Sequence, residues 1–159
     1  MKYIDNWFSN GKRLSRPIVY QRIEFWTVEN FYQAMKVDKR DITTRRRIAA
    51  LPPFGPNGAK REGRKLQLRP DWETIKEAVM EYALRQKFRP GTPEAYQLLD
   101  TIPVGCPPRQ WPPIVETNNW HDNEWGNCIC PRCAGIEGQD KLGKLLMDIR
   151  SDLFDAIPF

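Results

Sequence analysis

The sequence predicts a helix-rich α+β fold, a single domain of residues 1–159 with a small sheet. The length of 159 residues suits one compact domain, and hydrophobic residues make up 40% of the chain, enough for a core. Three segments repeat apolar residues at helical spacing, whereas runs rich in β-branched and aromatic residues are few.

Near the N-terminus, PIVYQRIEFW from Pro17 is the first strand candidate. The first helix is predicted to start at Thr27, a suitable N-cap, and to run through VENFYQAMKV. A shorter helix is predicted in DITTRRRIAAL, where residues 45–47 are three arginines that we expect on an exposed face.

The clearest helix follows Pro70, with Asp71 as its cap and RPG from Arg89 as its end. Its predicted apolar stripe consists of Trp72, Ile75, Val79 and either Tyr82 or Ala83.

Between Thr101 and Pro113 the stretch IPVGCPPRQWPP excludes a central strand or a helix and indicates an irregular surface segment. The second strand candidate is PIVET from Pro113, and the last helix is predicted in DKLGKLLMDIRSDLF. The apolar stripe of that last helix consists of Leu142, Leu145, Leu146, Ile149 and Leu153.

Charge and hydropathy restrict the partners and the compartment. The formal net charge of +5 favours anionic partners such as phosphorylated metabolites, nucleotides or nucleic acid. No window approaches the roughly 20 apolar residues of a membrane span, and MKYIDNWFSN lacks the apolar run of a signal peptide. We therefore expect a cytoplasmic or nuclear protein without a membrane partner.

Familiar catalytic motifs are missing from the sequence. With His121 as its one histidine, the chain has almost no choice of a Ser–His or Cys–His pair, and it contains no G-x-S-x-G, Walker-type or G-x-G-x-x-G motif. Carboxylates close to aromatic residues remain as candidates. Glu29 begins one stripe, which continues on the same helix with Tyr32, Gln33 and Lys36.

A second acidic group lies in IVETNNWHDNEWG, directly after the predicted strand. Its carboxylates Glu116, Asp122 and Glu124 surround Trp120 and Trp125. A carboxylate beside an indole is partly desolvated, which raises its pKa and suits general acid or base catalysis. The alternative is a polar loop whose tryptophans fill the core.

Four blocks of the sequence carry a family resemblance. They are FWTVENFYQAMK, GRKLQLRPDWETIKEAVMEYALRQKF, IVETNNWHDNEWG preceded by Leu98, Leu99 and Thr101, and GQDKLGKLLMDIR. In this order the blocks resemble the NADAR, or YbiA-like, family of N-glycosidases. The resemblance implies hydrolysis of the bond between a ribose carbon and a nitrogen without a catalytic cofactor. The implied substrates are ribosylamino-pyrimidine phosphates of riboflavin synthesis, or ADP-ribose attached to guanine in nucleic acid.

The resemblance also implies a set of site residues. It places catalytic carboxylates on Glu29 and Asp122 and active-site tryptophans on Trp72 and Trp125. We expect the helix N-terminus to keep Glu29 ionised, so that it can stabilise an oxocarbenium-like transition state or orient water.

Further substrate contacts are expected on the same wall, from Tyr32, Gln33 and Lys36 to ribose and phosphate. Gly126 and Asp140 lie in the matching blocks and are predicted to bind substrate as well. Asp140 stands where the family has asparagine, so it keeps an acceptor but loses two donors.

Lys87, in RQKF, is the third catalytic candidate. Its amine could form a Schiff base with the opened ribose if burial lowers its pKa. The alternative is a lysine at a helix C-terminus, where the helix dipole favours a cation.

Three cysteines in NCICPRC form a candidate metal site. The spacing of Cys128, Cys130 and Cys133 lets three thiolates converge on a tetrahedral zinc ion. The fourth ligand is Cys106 or His121, with Cys106 preferred because both cysteine-bearing segments look like additions to the shortest family members. Such a zinc would be structural, since four protein ligands leave no open position. Ordinary reduced thiols in a surface loop are the alternative.

Two other function classes stay open at this stage. One is a non-catalytic module that binds ADP-ribose or a nucleotide, against which the intact Glu29 and Asp122 argue. The other is a nucleic-acid-binding protein, which would need a contiguous basic face. The 20 acidic residues are interspersed among 25 basic ones, which disfavours such a face.

Overall fold

The computed structural model describes the backbone of residues 2–3 and all of residues 8–158. Residues 1 and 4–7 lie outside this range. They belong to the N-terminal stretch from which we expect no signal peptide. The described helices are α1 (Val28–Ala34), α2 (Ile42–Ala49), α3 (Ala59–Gly63), α4 (Trp72–Lys87), α5 (Pro93–Leu99) and α6 (Lys141–Asp155). None of them is long and apolar enough to cross a membrane.

The described strands are short and pair two by two. They are β1 (Lys2–Tyr3), β2 (Ile18–Tyr20), β3 (Ile23–Phe25), β4 (Ile114–Val115), β5 (Thr117–Asn118) and β6 (Asn127–Cys128). β2 and β3 form an antiparallel hairpin, whereas β1 pairs with β4 and β5 with β6 in parallel. The predicted helix-rich α+β fold with little sheet is confirmed.

The chain divides into two compact units. One is Asn10–Arg89, and the other consists of Pro90–Phe159 with the N-terminal strand. The expectation of a single domain over residues 1–159 stays a prediction.

In the unit of residues 10–89, the hairpin is closed by a two-residue turn. Gln21 and Arg22 both have positive φ, 51° and 60°, which is the conformation of a type I′ turn. The Gln21 side chain is held in place because it accepts a hydrogen bond from Arg45 Nη1 at 2.5 Å and donates one to the Lys39 carbonyl at 3.0 Å.

The burial of Arg45 corrects one expectation about α2. Arg45 is 1% exposed, and its guanidinium also donates to the Val37 carbonyl at 3.1 Å. Only Arg46 and Arg47 of the three arginines lie on the exposed face.

All seven residues of α1 are buried. The helix begins as predicted after Thr27, whose hydroxyl accepts the Asn30 N–H at 2.9 Å. It ends at Ala34, earlier than predicted, with Met35 as its C-cap. Because α1 is covered on every side, its polar residues lie in the interior of this unit.

Helix α4 begins and ends where the sequence predicts. Asp71 occupies the N-cap position, but its carboxylate binds the Arg69 guanidinium at 2.6 Å instead of a helix N–H. The buried face is rotated from the predicted stripe and consists of Trp72, Met80, Ala83, Leu84 and Lys87. Tyr82 is exposed, so Ala83 is the residue that belongs to the stripe.

The unit from Pro90 onward contains α5, α6 and the strands β4–β6. Four residues of the predicted α6 stripe are buried, Leu142, Leu146, Ile149 and Leu153, whereas the fifth, Leu145, is half-buried. Buried Arg150 donates to Thr101 Oγ1 at 2.9 Å and to the Pro112 carbonyl at 3.0 Å. These bonds fix both ends of the proline-rich segment, which is mostly exposed and irregular as predicted.

Candidate functional site

Glu29 is the second residue of α1 and is 7% exposed. Its backbone N–H donates to the Asn10 carbonyl at 2.9 Å, and its Oε1 accepts a hydrogen bond from Gln33 Nε2 at 2.7 Å. Burial raises the pKa of Glu29, whereas the Gln33 hydrogen bond and nearby positive charges lower it, with a net pKa above the ordinary value. The positive charges belong to Lys60, Lys36 and Arg64.

The direction of this pKa shift is opposite to the effect expected of the helix N-terminus, which favours the ionised form of Glu29. Desolvation in the interior outweighs the favourable interactions. A carboxyl group with a raised pKa holds and releases a proton closer to neutral pH. Glu29 is therefore suited to proton transfer as well as to charge stabilisation.

The predicted stripe along α1 is present, and Trp72 lies against it. The rings of Tyr32 and Trp72 meet edge to face, with centroids 5.0 Å apart. Lys36 Nζ lies 5.7 Å from the Tyr32 ring centroid, and burial lowers the pKa of this amine while Glu29 raises it. Trp72 is only 4% exposed, so most of its indole is packed.

Helix α3 contacts the stripe through a glycine. A Cβ on Gly63 would lie 1.9 Å from Gln33 Oε1, so only glycine permits this approach. Gln33 Oε1 is buried, and no hydrogen-bond donor among the described residues reaches it. The Gln33 amide thus donates to Glu29 through Nε2, and its Oε1 is a buried acceptor that a ligand could use.

The cations around this stripe were not predicted. Besides burial, the charges of Arg64, Lys60 and Lys76 lower the pKa of Lys36. Lys60 belongs to α3, Arg64 directly follows α3, and Lys76 belongs to α4. No local spacing relates them to Glu29, because their proximity depends on how the helices pack. Lys60, Lys36 and Arg64 also act on Glu29, so the surroundings of this buried carboxyl are positively charged.

Lys87, the last residue of α4, is 2% exposed. Its Nζ lies 5.2 Å from the Phe88 ring centroid. An amine nucleophile needs burial, which lowers its pKa. The structural alternative needs a position at a helix C-terminus, where the helix dipole favours a cation. Both conditions hold, so the catalytic assignment of Lys87 stays a prediction.

In the other unit, Asp122 organises the connection between β5 and β6. Its Oδ1 accepts the backbone N–H of Glu124 at 3.0 Å and of Trp125 at 2.9 Å. The Asn118 amide donates to the Asp122 carbonyl at 2.6 Å and accepts the Asp122 N–H at 3.2 Å. Trp120 is 55% exposed, so it does not fill the core as the alternative for this loop required. Trp125 is half-buried.

Gly126 and Asp140 have structural roles in this unit. A Cβ on Gly126 would lie 2.9 Å from both Asn118 Nδ2 and the Glu116 carbonyl oxygen. Asp140 caps α6 with φ 47°, and its Oδ1 accepts the N–H groups of Gly143 and Glu116 at 3.3 and 3.1 Å. Burial raises the pKa of Asp140. The predicted substrate contacts of both residues stay predictions.

Four metal-ligating side chains converge next to Asp122. The ligand atoms of His121, Cys128, Cys130 and Cys133 all lie within 4.8 Å of one another. Cys106 does not belong to this cluster, and its Sγ points to the Pro107 carbonyl at 3.8 Å. The structure therefore does not support the preference for Cys106, and His121, the alternative, is the fourth member of the cluster.

A pocket of ≈ 470 Å³ opens elsewhere in the unit of residues 10–89. It is lined by the ends of α1 and α2 and by the Arg13 guanidinium, which stacks 4.0 Å above the Trp26 ring. Neither Glu29 nor the stripe that follows it lines this pocket. The chemistry of the side chains, and not the size of a cavity, therefore identifies the candidate site.

Comparison with known proteins identifies the family to which this chain belongs. The NADAR domain matches residues 2–154. This chain belongs to the NADAR family. The resemblance seen in the four sequence blocks is thereby confirmed.

NADAR relatives include proteins named as enzymes. The N-glycosidase YbiA of Shigella flexneri is 32% identical over 142 residues, which cover 87% of this chain and 77% of the relative. The N-glycosidase YbiA of Escherichia coli is 33% identical over 130 residues, covering 80% of this chain and 69% of the relative. At the family level, these names support a hydrolase.

A longer relative and a solved structure complete the comparison. A riboflavin biosynthesis protein of Vibrio vulnificus is 29% identical over 133 residues, which cover 82% of this chain but 31% of that protein. The NMR structure of E. coli YbiA superposes with a TM-score of 0.70 at 32% identity, covering 96% of this chain and 81% of that one. The NADAR fold of this chain is therefore that of YbiA.

Proposed function

We propose that this protein is an N-glycosidase that hydrolyses the N-glycosidic bond of a ribosyl-phosphate or ADP-ribosyl compound. The observation that carries the proposal is the environment of Glu29, one carboxyl group buried beside Gln33 and surrounded by cations. A phosphorylated sugar presents both anionic groups and a carbon that becomes cationic when its bond to nitrogen breaks. The site offers partners of the required sign for each.

The positive groups suit the phosphate of the substrate. Arg64, Lys60 and Lys76 act through charge on Lys36, whose pKa is lowered mainly by burial. An anion bound among them relieves their mutual repulsion. Ammonium and guanidinium groups are the usual donors to phosphate oxygens in proteins.

The carboxylate suits the reacting carbon. As the C–N bond breaks, positive charge develops on the anomeric carbon and ring oxygen, and ionised Glu29 stabilises it. A water oxygen then bonds to the anomeric carbon, and Glu29 accepts the proton that this water loses. The departing nitrogen takes a proton and leaves as the free base or amine. Asp122 is the second carboxylate that we propose for catalysis, on the basis of the family resemblance.

The aromatic pair suits the flat part of the substrate. Tyr32 and Trp72 contact each other edge to face and are 8% and 4% exposed, so we propose that a base or a ribose contacts the small part of these rings that stays accessible. The same chemistry serves a ribosylamino-pyrimidine phosphate and an ADP-ribosylated guanine. Because the net charge is +5, we expect the polyanionic substrate, ADP-ribosylated nucleic acid, to be cleaved faster.

The test is to incubate the purified protein with each substrate in H₂¹⁸O and to follow the products by mass spectrometry. We expect release of the free base or amine and one ¹⁸O atom in the sugar product. Tight binding without release would support the non-catalytic module instead. No release and no binding of either substrate would refute the proposal.

A further inference from the structure

A cluster of three thiols and one imidazole lies outside the chemistry proposed above. It is formed within the unit that begins at Pro90. His121 comes from the connection between β5 and β6, and Cys128 ends β6. Cys130 directly precedes a single 3-10 turn, Pro131–Cys133, and Cys133 is the last residue of that turn.

The distances within the cluster match those of a metal site. His121 Nδ1 lies 3.2 Å from Cys130 Sγ and 3.6 Å from Cys133 Sγ. Zn–S bonds of about 2.3 Å and Zn–N bonds of about 2.0 Å place neighbouring ligand atoms of a tetrahedral site about 3.5–3.8 Å apart. A small movement of the four side chains therefore suffices for them to coordinate an ion at the centre of the cluster.

We propose that Cys128, Cys130, Cys133 and His121 Nδ1 bind one structural zinc ion. Three thiolates and one imidazole form a tetrahedral donor set. Among the divalent first-row metal ions, zinc is the one that structural sites with this donor set typically bind. All four positions are filled by the protein, so the ion activates no water. The function of such a site is to hold the backbone segments that carry its ligands.

The backbone is arranged to direct these side chains inward. His121 has φ 69°, in the left-handed region, and its Nδ1 faces the thiols of Cys130 and Cys133. The Cys133 N–H donates to the Cys130 carbonyl at 3.0 Å, which brings these two thiols onto one side of the 3-10 turn. The His121 N–H in turn donates to Cys128 Sγ at 3.3 Å, as backbone N–H groups commonly do to metal-bound thiolates.

The ion would stabilise the segment that carries Asp122. His121 directly precedes Asp122, and Cys128 follows Trp125 by three residues. Fixing both ends of this segment restricts the carboxylate and the indole to one arrangement. This consequence for catalysis rests on the proposed function, whereas zinc binding itself does not.

The test is the zinc content of the protein purified without chelators, measured by inductively coupled plasma mass spectrometry. We expect about one zinc ion per chain. His121→Ala, at an exposed position, and Cys130→Ser should each lose most of it. Cys106→Ser is the matched control, because it removes a cysteine outside the cluster, and it should retain the full amount.

Cobalt substitution and thermal unfolding give two independent measurements. Co²⁺-loaded protein should show the intense visible bands of a tetrahedral ion and thiolate-to-cobalt charge transfer, and Cys106→Ser should leave both unchanged. A zinc chelator should lower the Tm of the native protein but not that of Cys130→Ser.

A protein without zinc whose Co²⁺ spectrum is octahedral, or zinc that survives in His121→Ala and Cys130→Ser, would overturn the proposal. A disulfide between two of the three cysteines in freshly purified protein would overturn it as well. None of these outcomes depends on whether a glycosidic bond is cleaved.

Discussion

Gln33 Nε2 donates a 2.7 Å hydrogen bond to Glu29 Oε1, one helical turn away in a helix that is buried on all sides. The bond fixes the orientation of the carboxyl group, and nearby cations reduce the rise of its pKa that burial causes. Glu29 is thus held in one geometry, and its pKa lies above the ordinary value of a glutamate. The predictions about activity follow from this relationship.

The pH dependence of the reaction should report the environment of Glu29. Because burial raises its pKa above 4.5, kcat/KM should fall as the pH falls through that raised value and the carboxylate becomes protonated. Lys60→Met removes the cation with the largest effect on Glu29, so it should move the acid limb to higher pH.

Lys65→Met is the control for this shift. Lys65 is exposed and pairs with Glu62 at 2.6 Å, and its charge is not among those that act on Glu29. It should leave the acid limb in place. An acid limb that moves equally in both variants would show that general charge, and not the surroundings of Glu29, sets the profile.

A covalent role for Lys87 predicts a trapped intermediate. If its buried amine attacks the anomeric carbon, the opened ribose passes through an imine, and borohydride should reduce it to a stable sugar adduct. Peptide mapping should place the adduct on Lys87. Lys87→Ala should lose the adduct and most of the rate, and Lys87→Arg should not restore them.

Two other outcomes of this experiment are informative. No adduct, with Lys87→Ala still fast, would leave a carboxylate-only mechanism that acts through water. An adduct on Lys36 would place the imine on α1 instead of α4.

Trp125 should contribute to substrate binding and little to stability. Its backbone N–H, and not its indole, makes the 2.9 Å hydrogen bond to Asp122, and the side chain is half-buried. Stacking on a base contributes about 1–3 kcal/mol, of which phenylalanine retains a part, so Trp125→Phe should raise KM about 3–10-fold. The Tm should change by no more than about 2 °C. An unaltered KM with a large drop in Tm would assign the indole to the core.

The turn of the β2–β3 hairpin should be improved by glycine. Arg22 has φ 60°, a conformation that costs a non-glycine residue about 1–2 kcal/mol, part of which glycine loses again in chain entropy. Arg22→Gly should therefore stabilise the protein by about 0.5–1 kcal/mol and raise Tm by about 1–4 °C. Arg22→Val should lower Tm, because a β-branched residue tolerates this conformation least. A higher Tm for Arg22→Val than for Arg22→Gly would contradict the turn.

The fold was predictable where the signal in the sequence is local and long. Helices α4 and α6 span 16 and 15 residues, with caps and apolar periods that a sequence displays. Helices α3 and α5 span 5 and 7 residues, too short for a period to stand out. The hairpin turn was missed as well, because Gln21 and Arg22 do not carry the Asn-Gly or Asp-Gly signal of such turns.

The same distinction applies to the candidate site. The stripe from Glu29 to Lys36 follows from helical spacing alone, so the sequence predicts it. The cations of α3 and the contact of Gly63 with Gln33 depend on packing between helices, and no spacing encodes them. The choice between Cys106 and His121 failed for the same reason, since it depends on the path of a loop.

The central claim, that Glu29 acts on the glycosidic bond, is tested most directly by kcat/KM of Glu29→Gln on the cleaved substrate. Glutamine keeps the size of the side chain and an acceptor for Gln33 but removes the charge. Glu24→Gln, on the exposed face of β3, is the matched control and should have the native rate. Folding raises the pKa of Glu29, so this carboxyl contributes less to the stability of the protein as the pH rises above 4.5. An amide does not titrate. We therefore predict that Glu29→Gln unfolds at or above the native Tm at neutral pH. Its kcat/KM should fall about 10²–10⁴-fold. A folded Glu29→Gln variant with a rate close to that of Glu24→Gln would contradict the claim.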